Sequence, residues 1–256
     1  MKRTLAFALL AAVGAGAQAQ VIIYTGAVAS ENFDTLAATG TSNPWSNGTT
    51  VNGWYATNVS GNFTTYRADN GTSNAGALYS FGSTGSGERA LGSISSGTPQ
   101  TIYYGAKFVN NASGAANDFT LSYDGEQWRN GGNTNAQKLT FEYSLNATAI
   151  NDGLASWTAV TSLDFTSPVV GATAAIVDGN AAGKVAINSG LLATTLSSNW
   201  LVGTNLWIRW TDINDSGNDH GLGVDNMRFT ATVVPEPFSL IAGLGAVAAM
   251  LKRRKP

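Results

Sequence analysis

The chain has 256 residues, with 14 Lys and Arg, 16 Asp and Glu, one His and no Cys. The lack of Cys excludes disulfide frameworks, thiolate zinc sites, iron–sulfur clusters and thiol nucleophiles, and a single His excludes multi-histidine metal centres. Only 12% of the residues are charged, whereas 10% are aromatic and 30 are Gly. This composition is typical of a β-rich secreted domain with many turns.

The N-terminus has the three parts of a secretory signal. Basic residues at positions 2 and 3 precede an apolar run at 5–13, and Ala17-Gln18-Ala19 forms a small-residue cleavage site. We therefore expect a signal peptide over residues 1–19, cut before Gln20. A membrane anchor is the alternative, but this apolar run is too short to cross about 30 Å of hydrocarbon.

The body of the chain alternates apolar and polar residues with a period of two. Residues 138–145 place Leu139, Phe141 and Tyr143 on one face, and residues 206–211 place Trp207 and Trp210 on opposite faces. The other predicted strands are 21–24, 103–109, 119–123, 157–160, 184–187 and 227–233. Because no helical period is sustained, we predict an all-β fold: a single antiparallel, jelly-roll-like β-sandwich over residues 20–233.

Asn-Gly and Asp-Gly pairs punctuate these strands and predict tight turns, since both residue types tolerate positive φ. The pairs are Asn47-Gly48, Asn70-Gly71, Asp124-Gly125, Asn130-Gly131, Asp152-Gly153 and Asp178-Gly179. The segment 30–96 is rich in Gly, Asn, Ser and Thr. We expect long loops over the sandwich there.

The densest polar segment lies between residues 212 and 226. Its oxygen-bearing side chains suit calcium, which takes six to eight oxygen ligands. The candidate ligands are Asp212, Asn214, Asp215, Asp219 and Asp225. The segment is not an EF-hand loop, because Gly223 occupies the position of the bidentate Glu. The alternative is a structural turn in which Asp and Asn bind backbone amides, and no other cofactor is expected.

Trp side chains are candidates for sugar binding, since aromatic faces pack on sugar rings while nearby amides bind hydroxyls. From the seven Trp residues, Trp45, Trp54 and Trp207 are the candidates for such a platform. Packing in the core is the alternative for each of them.

Several titratable groups invite a catalytic hypothesis. Glycoside hydrolysis commonly uses two carboxylates, for which Asp124, Glu126, Glu142 and Asp219 are available, and His220 is a candidate general base. The alternatives are turn residues, ion pairs and a hydrogen-bonded structural His. We expect no catalytic set, and keep a carboxylate-dependent extracellular hydrolase as the competing hypothesis.

The C-terminal segment 234–256 has three parts. The motif Pro235-Glu236-Pro237 is followed by an uncharged apolar run at 238–251 and by a basic cluster at 252–255. Pro interrupts regular structure, and a terminal basic cluster favours the cytoplasmic side of a membrane. We expect a short membrane-inserted helix over 238–251.

This tail resembles the PEP-CTERM sorting signal of Gram-negative bacteria, with Pro235, Glu236 and Pro237 as its motif. The resemblance implies recognition by an exosortase after export by the secretion machinery. It also implies delivery to the cell surface or extracellular matrix, in association with exopolysaccharide and biofilm. More weakly, residues 80–93, 125–129 and 209–226 resemble a β-sandwich module of secreted bacterial proteins that has no assigned activity.

The charge of the body restricts its partners. Residues 20–234 carry eight basic and 15 acidic side chains, a net charge of −7. Binding to a phosphate backbone depends on Lys and Arg, so we expect no nucleic-acid partner. The sequence thus predicts a non-catalytic surface or matrix protein. The more specific form of this hypothesis is that the protein binds carbohydrate.

Overall fold

The computed structural model describes residues 20–188 and 193–235. The predicted signal peptide at 1–19 lies outside the described residues. So do Glu236 and Pro237 of the sorting motif, the apolar run at 238–251 and the basic cluster. Within the part of the chain that is described, no helix is both long and apolar enough to span a membrane.

The described residues form 18 β-strands and one turn of 3₁₀ helix at Thr161–Leu163. In chain order the strands are β1 (Ile22–Tyr24), β2 (Ala29–Glu31), β3 (Asn43–Pro44), β4 (Trp54–Asn58), β5 (Gly61–Asn62), β6 (Thr65–Asp69), β7 (Ala77–Phe81), β8 (Ala90–Ile94), β9 (Ile102–Asn110), β10 (Gly114–Asn130), β11 (Lys138–Ser144), β12 (Thr158–Ala159), β13 (Phe165–Thr166), β14 (Ala175–Ile176), β15 (Lys184–Asn188), β16 (Thr194–Trp200), β17 (Asn205–Asp212) and β18 (Gly221–Pro235).

The strands belong to two sheets. Sheet 1 has the order β12-β11-β17-β9-β4-β5, with β1 beside β9 and β13 beside β11. Sheet 2 has the order β14-β10-β18-β8-β7-β6-β3, with β15 and β16 beside β10 and β2 beside β18. Most pairs are antiparallel, as predicted, but β1 with β9 and β6 with β7 are parallel. Both sheets are therefore mixed.

The two sheets pack face to face through aromatic side chains. Trp210 of sheet 1 stacks on Trp54 with ring centroids 5.9 Å apart, and the edge of Tyr123 from sheet 2 meets it at 5.0 Å. Phe108 of sheet 1 stacks on Phe229 of sheet 2 at 4.4 Å. The alternating pattern produces this core because each strand turns every second side chain inward. The predicted all-β sandwich is confirmed.

The strand predictions hold for the regular segments. Residues 138–145 correspond to β11 and residues 206–211 to β17, while residues 227–233 are the second half of the longer β18. The prediction of long loops over 30–96 is incomplete: long connections are present at 32–42 and 45–53, but the segment also contributes the strands β2 to β8. Its polar composition did not indicate these strands, which are two to five residues long.

The predicted turn at Asp124-Gly125 is also wrong, because both residues lie inside β10. There Asp124 pairs with Asp225 and Gly125 with Val224 of β18. A Cβ atom at Gly125 would overlap the buried ring of Phe165. Gly is present at this position because the ring packs directly on the strand, and not because the chain reverses direction.

We expect Gly125→Ala to lower the free energy of unfolding by about 2 kcal/mol, since overpacking forces the ring or the strand to shift. Urea unfolding measures this change. Gly153→Ala is the matched control: its Cβ meets nothing within 4 Å, so a change of at most about 0.5 kcal/mol is expected. Equal stability of the two variants would contradict the assigned packing.

Candidate functional site

The predicted calcium segment begins in the sheet and continues as a loop between β17 and β18. Asp212 is 3% exposed, and its Oδ2 accepts a hydrogen bond from the Ser93 hydroxyl at 2.6 Å. Asp219 Oδ1 accepts the backbone N–H of Asp215 at 2.9 Å, as an Asp does in a structural turn. Asn214 and Asp219 line a polar cleft of about 360 Å³.

Asp225 does not lie with the other predicted ligands. It projects from β18 on the face of sheet 2 opposite the core, which we call the outer face of sheet 2. Among residues 20–188 and 193–235, one group of three acidic or His side chains has ligand atoms that all lie within 4.8 Å of one another. That group is Glu88, Glu126 and Asp225, so Asp225 lies with Glu88 and Glu126. Calcium binding by Asp212, Asn214, Asp215 and Asp219 stays a prediction.

The three side chains of this group, the outer carboxylate cluster, come from three separate segments. Glu88 precedes β8, Glu126 lies in β10 and Asp225 lies in β18. Glu126 is 0% and Asp225 1% exposed. Glu126 Oε2 accepts the indole N–H of Trp128 at 2.8 Å, and Asp225 Oδ2 accepts the Asn226 amide at 2.8 Å.

Burial is the largest cause of the raised pKa values in the cluster. It raises the pKa of Glu126 to about 8, against the indole hydrogen bond that lowers it, and the charges of Asp225 and Glu88 add to the rise. Burial likewise raises the pKa of Asp225 to about 8. Both shifts follow from removing a carboxylate from water without pairing it to a cation. The nearby ammonium of Lys184 pairs instead with Asp124 at 2.6 Å.

His220 is buried, and its imidazole forms a hydrogen bond with the backbone. Its Nδ1 accepts the backbone N–H of Gly131 at 2.9 Å, and its backbone N–H donates to the side-chain oxygen of Gln137 at 2.5 Å. Burial lowers the pKa of its imidazole. These contacts match the structural alternative.

The remaining carboxylates of the hydrolase hypothesis are dispersed. Glu142 lies in sheet 1 and pairs with Arg209 at 2.7 Å, whereas Asp124 and Glu126 lie in sheet 2. Asp219 lies in the β17–β18 loop, next to Asp215.

Two of the three candidate Trp residues are corrected to core positions. Trp54 is 0% exposed between Phe33 and Trp210. Trp45 is 4% exposed and packs edge-on against Tyr66. Neither presents a free ring face, because the inward positions of a sandwich take the largest apolar side chains.

Trp207 lies on the face of sheet 1 that points away from the core, as the alternation with Trp210 predicted. It is nevertheless 2% exposed, since Ala147 and Ile150 of the loop after β11 pack against it. Its ring contacts Tyr55 at 4.7 Å, and the Lys107 ammonium lies 5.5 Å from the ring centroid.

A cleft of about 400 Å³ opens beside this group, which we call the Trp207 cleft. Its lining residues are Asn47, Tyr55, Asn62, Lys107, Thr148, Ala149, Ile150, Asn151 and Trp207. It combines aromatic rings with side-chain amides, the groups that orient a polar ligand in a largely preformed site.

Sequence reasoning missed Glu88, Tyr55 and Lys107. Glu88 precedes Arg89 in the sequence, which suggests an ion pair between neighbours, but Arg89 donates instead to the backbone and hydroxyl of Ser80. Lys107 and Trp207 face each other across paired strands. The period-two pattern of 103–109 and 206–211 places both on the outer face, so the pairing register was the missing signal.

Comparison with known proteins identifies no family for this chain. No family model and no curated protein matches the chain. Among solved structures, the K2 cleaved adhesin domain of Lys-gingipain matches at 15% identity with a TM-score of 0.42, over 80% of this chain and 98% of that one.

We expect the stability of the protein to fall as the pH rises towards 8, in part because of Asp212. Burial raises its pKa from 3.8 to about 8, so the folded state binds the proton more tightly than the unfolded chain. This contribution is complete below the ordinary pKa and is lost as the pH rises through about 8.

Asp212→Asn keeps an acceptor for Ser93 and removes the titration. Urea unfolding in the presence of a chelator at about pH 5 and about pH 8 measures the effect. The decrease between the two pH values should be smaller in Asp212→Asn than in the unmodified protein. An equal decrease would show that Asp212 is ionised in the folded state.

Proposed function

We propose that the chain is an exported, non-catalytic cell-surface or matrix protein that associates with exopolysaccharide and binds carbohydrate in the Trp207 cleft. An exosortase would sort it through the motif at residues 235–237, with 238–251 as the membrane-inserted segment of the precursor. The observation that carries the ligand proposal is the cleft itself.

Three features of the Trp207 cleft support a carbohydrate ligand. Tyr55 is partly exposed at the cleft, and Trp207 also lines it. The exposed amides of Asn62 and Asn151 carry both donors and acceptors, which suits hydroxyl groups. The indole Nε1 of Trp207 is a buried donor without a partner among the described residues.

The export proposal is supported by the order of parts at both ends of the chain. A basic, apolar and small-residue N-terminus is typical of a secretory signal. The Pro-Glu-Pro motif, apolar run and basic cluster follow in the order of the PEP-CTERM signal. The acidic body accords with a partner other than nucleic acid.

A hydrolase acting on polysaccharide is the competing proposal, favoured by the raised pKa of Glu126. The burial of this side chain opposes it. A general acid must contact the glycosidic oxygen, whereas Glu126 is 0% exposed and one of its oxygens accepts the Trp128 indole N–H.

Binding to the exopolysaccharide of the producing bacterium tests the cleft. We expect saturable binding that weakens at least about tenfold in the double variant Asn62→Ala, Asn151→Ala, because each lost hydrogen bond contributes about 1 kcal/mol. Isothermal calorimetry or a co-sedimentation isotherm measures the affinity. Asn117→Ala, at an exposed position of sheet 2, is the control and should bind normally.

Equal binding by all variants would contradict the assignment to the cleft. Release of reducing ends that disappears in Glu126→Gln would favour the hydrolase.

Tail processing has a separate test. The intact mass of the protein from exosortase-positive cells should correspond to a chain that lacks the apolar run and basic cluster. Exosortase-deficient cells should retain both. The same C-terminus in both strains would refute exosortase sorting.

A further inference from the structure

We propose that Glu88, Glu126 and Asp225, the outer carboxylate cluster, form a calcium-binding site on the outer face of sheet 2. This inference is independent of export and of carbohydrate binding. It relocates metal binding from the β17–β18 loop to a group that only the strand pairing brings together.

The first argument is that, in each carboxylate, one oxygen accepts a hydrogen bond and the other has no hydrogen-bond partner. Oε2 of Glu88 accepts the Asn180 amide at 2.6 Å, and the bonds from Trp128 and Asn226 hold one oxygen each of Glu126 and Asp225. The second oxygens are Glu88 Oε1, Glu126 Oε1 and Asp225 Oδ1. All three are buried, with no hydrogen-bond partner in the described part of the chain.

Burying these three oxygens without a cation destabilises the folded protein. A buried polar atom that lacks a partner costs about 1–3 kcal/mol, and more when it is charged. Here three such atoms occur in side chains whose ligand atoms lie within 4.8 Å of one another. Donors orient one oxygen of each carboxylate, so the cluster is held in place for a positive ligand.

The composition and spacing point to calcium. All three ligands are carboxylate oxygens, which hard cations prefer, whereas zinc favours nitrogen and sulfur. Calcium binds oxygen at about 2.3–2.6 Å, so two of its ligands lie at most about 5 Å apart. The separations within the cluster satisfy this limit. Water would complete the six to eight ligands.

The local charge also favours a divalent ion. Asp124 lies beside Asp225, because the side-chain amide of Asn226 donates to both carboxylates, at 3.0 and 2.8 Å. Lys184 is engaged by Asp124, while the buried side chain of Arg89 donates to Ser80. The carboxylates of the cluster therefore have no cation in direct contact within the described residues.

The ion would connect three segments that are distant in sequence. It would join the turn before β8 to the last part of β10 and the first part of β18. It would also fix Asn180, whose amide binds Glu88, and with it the segment that covers the Trp128 ring. We therefore expect calcium to stabilise the fold.

Thermal unfolding and calorimetry of the purified protein, first stripped with a chelator, test the proposal. We expect one calcium per chain and, at about 100 times Kd, a rise in Tm of about 5–10 °C. Glu126→Gln and Asp225→Asn should each weaken binding at least tenfold. Asp118→Asn, which removes a carboxylate from the same strand β10, should bind calcium as the unmodified protein does.

Asp219→Asn distinguishes calcium binding at this cluster from calcium binding in the β17–β18 loop. This variant should bind calcium as the unmodified protein does. Loss of binding in Asp219→Asn, or unchanged binding in Glu126→Gln and Asp225→Asn, would overturn the proposal. So would the absence of binding by the unmodified protein at about 10 mM calcium, above the range of weak extracellular sites.

A spectroscopic test needs no ligand variant. The Trp128 indole donates to Glu126 at 2.8 Å, so terbium bound in place of calcium would lie beside that ring. Excitation of Trp should then sensitise terbium emission, and added calcium should remove it. Trp128→Phe should lose most of this emission, because it removes the indole next to Glu126. A lack of sensitised emission in the unmodified protein would overturn the proposal.

Discussion

The pairing of β10 with β18 organises the molecule. The two strands pair from Gly114 with Pro235 to Arg129 with Gly221, and β10 also pairs with β14, β15 and β16. The inward side chains of β10, such as Tyr123, enter the core between the sheets. Its outward side chains Glu126 and Trp128 are covered by other segments. Because both faces of the strand are covered, the carboxylate of Glu126 is buried, and it lies there with Glu88 and Asp225.

Both sheets carry a second layer on the face that points away from the core. On sheet 1, the loop after β11 covers Trp207, and the Arg209 guanidinium lies 3.6 Å from the ring centroid of Trp157. On sheet 2, a smaller apolar group around Trp128 and Phe81 lies outside the main core. The candidate sites adjoin these outer layers: the Trp207 cleft on sheet 1 and the cluster on sheet 2. The aromatic core holds the two sheets together, whereas the outer layers give each sheet a different outer surface.

Strand alternation was predictable from the sequence because it depends on neighbouring residues. Residues 138–145 and 206–211 are strands with the predicted faces, and Trp207 does lie opposite Trp210. The exposure of Trp207 was not predictable, because a loop that approaches from elsewhere covers it. The Asp124-Gly125 pair shows the same limit: its local preference is a turn, but pairing with β18 and contact with Phe165 keep it in a strand.

The sequence by itself therefore determined the all-β class, the approximate strands and the separation of inner from outer side chains, since these follow from a period of two along one segment. The tertiary structure decided which outer side chains meet. Glu88, Glu126 and Asp225 are each separated by more than 30 positions in the sequence, and no spacing rule brings them together. Strand register placed Asp225 opposite Asp124, and burial then changed the acidity of Glu126 and Asp225. Contacts between distant segments set both the geometry and the electrostatics of that cluster.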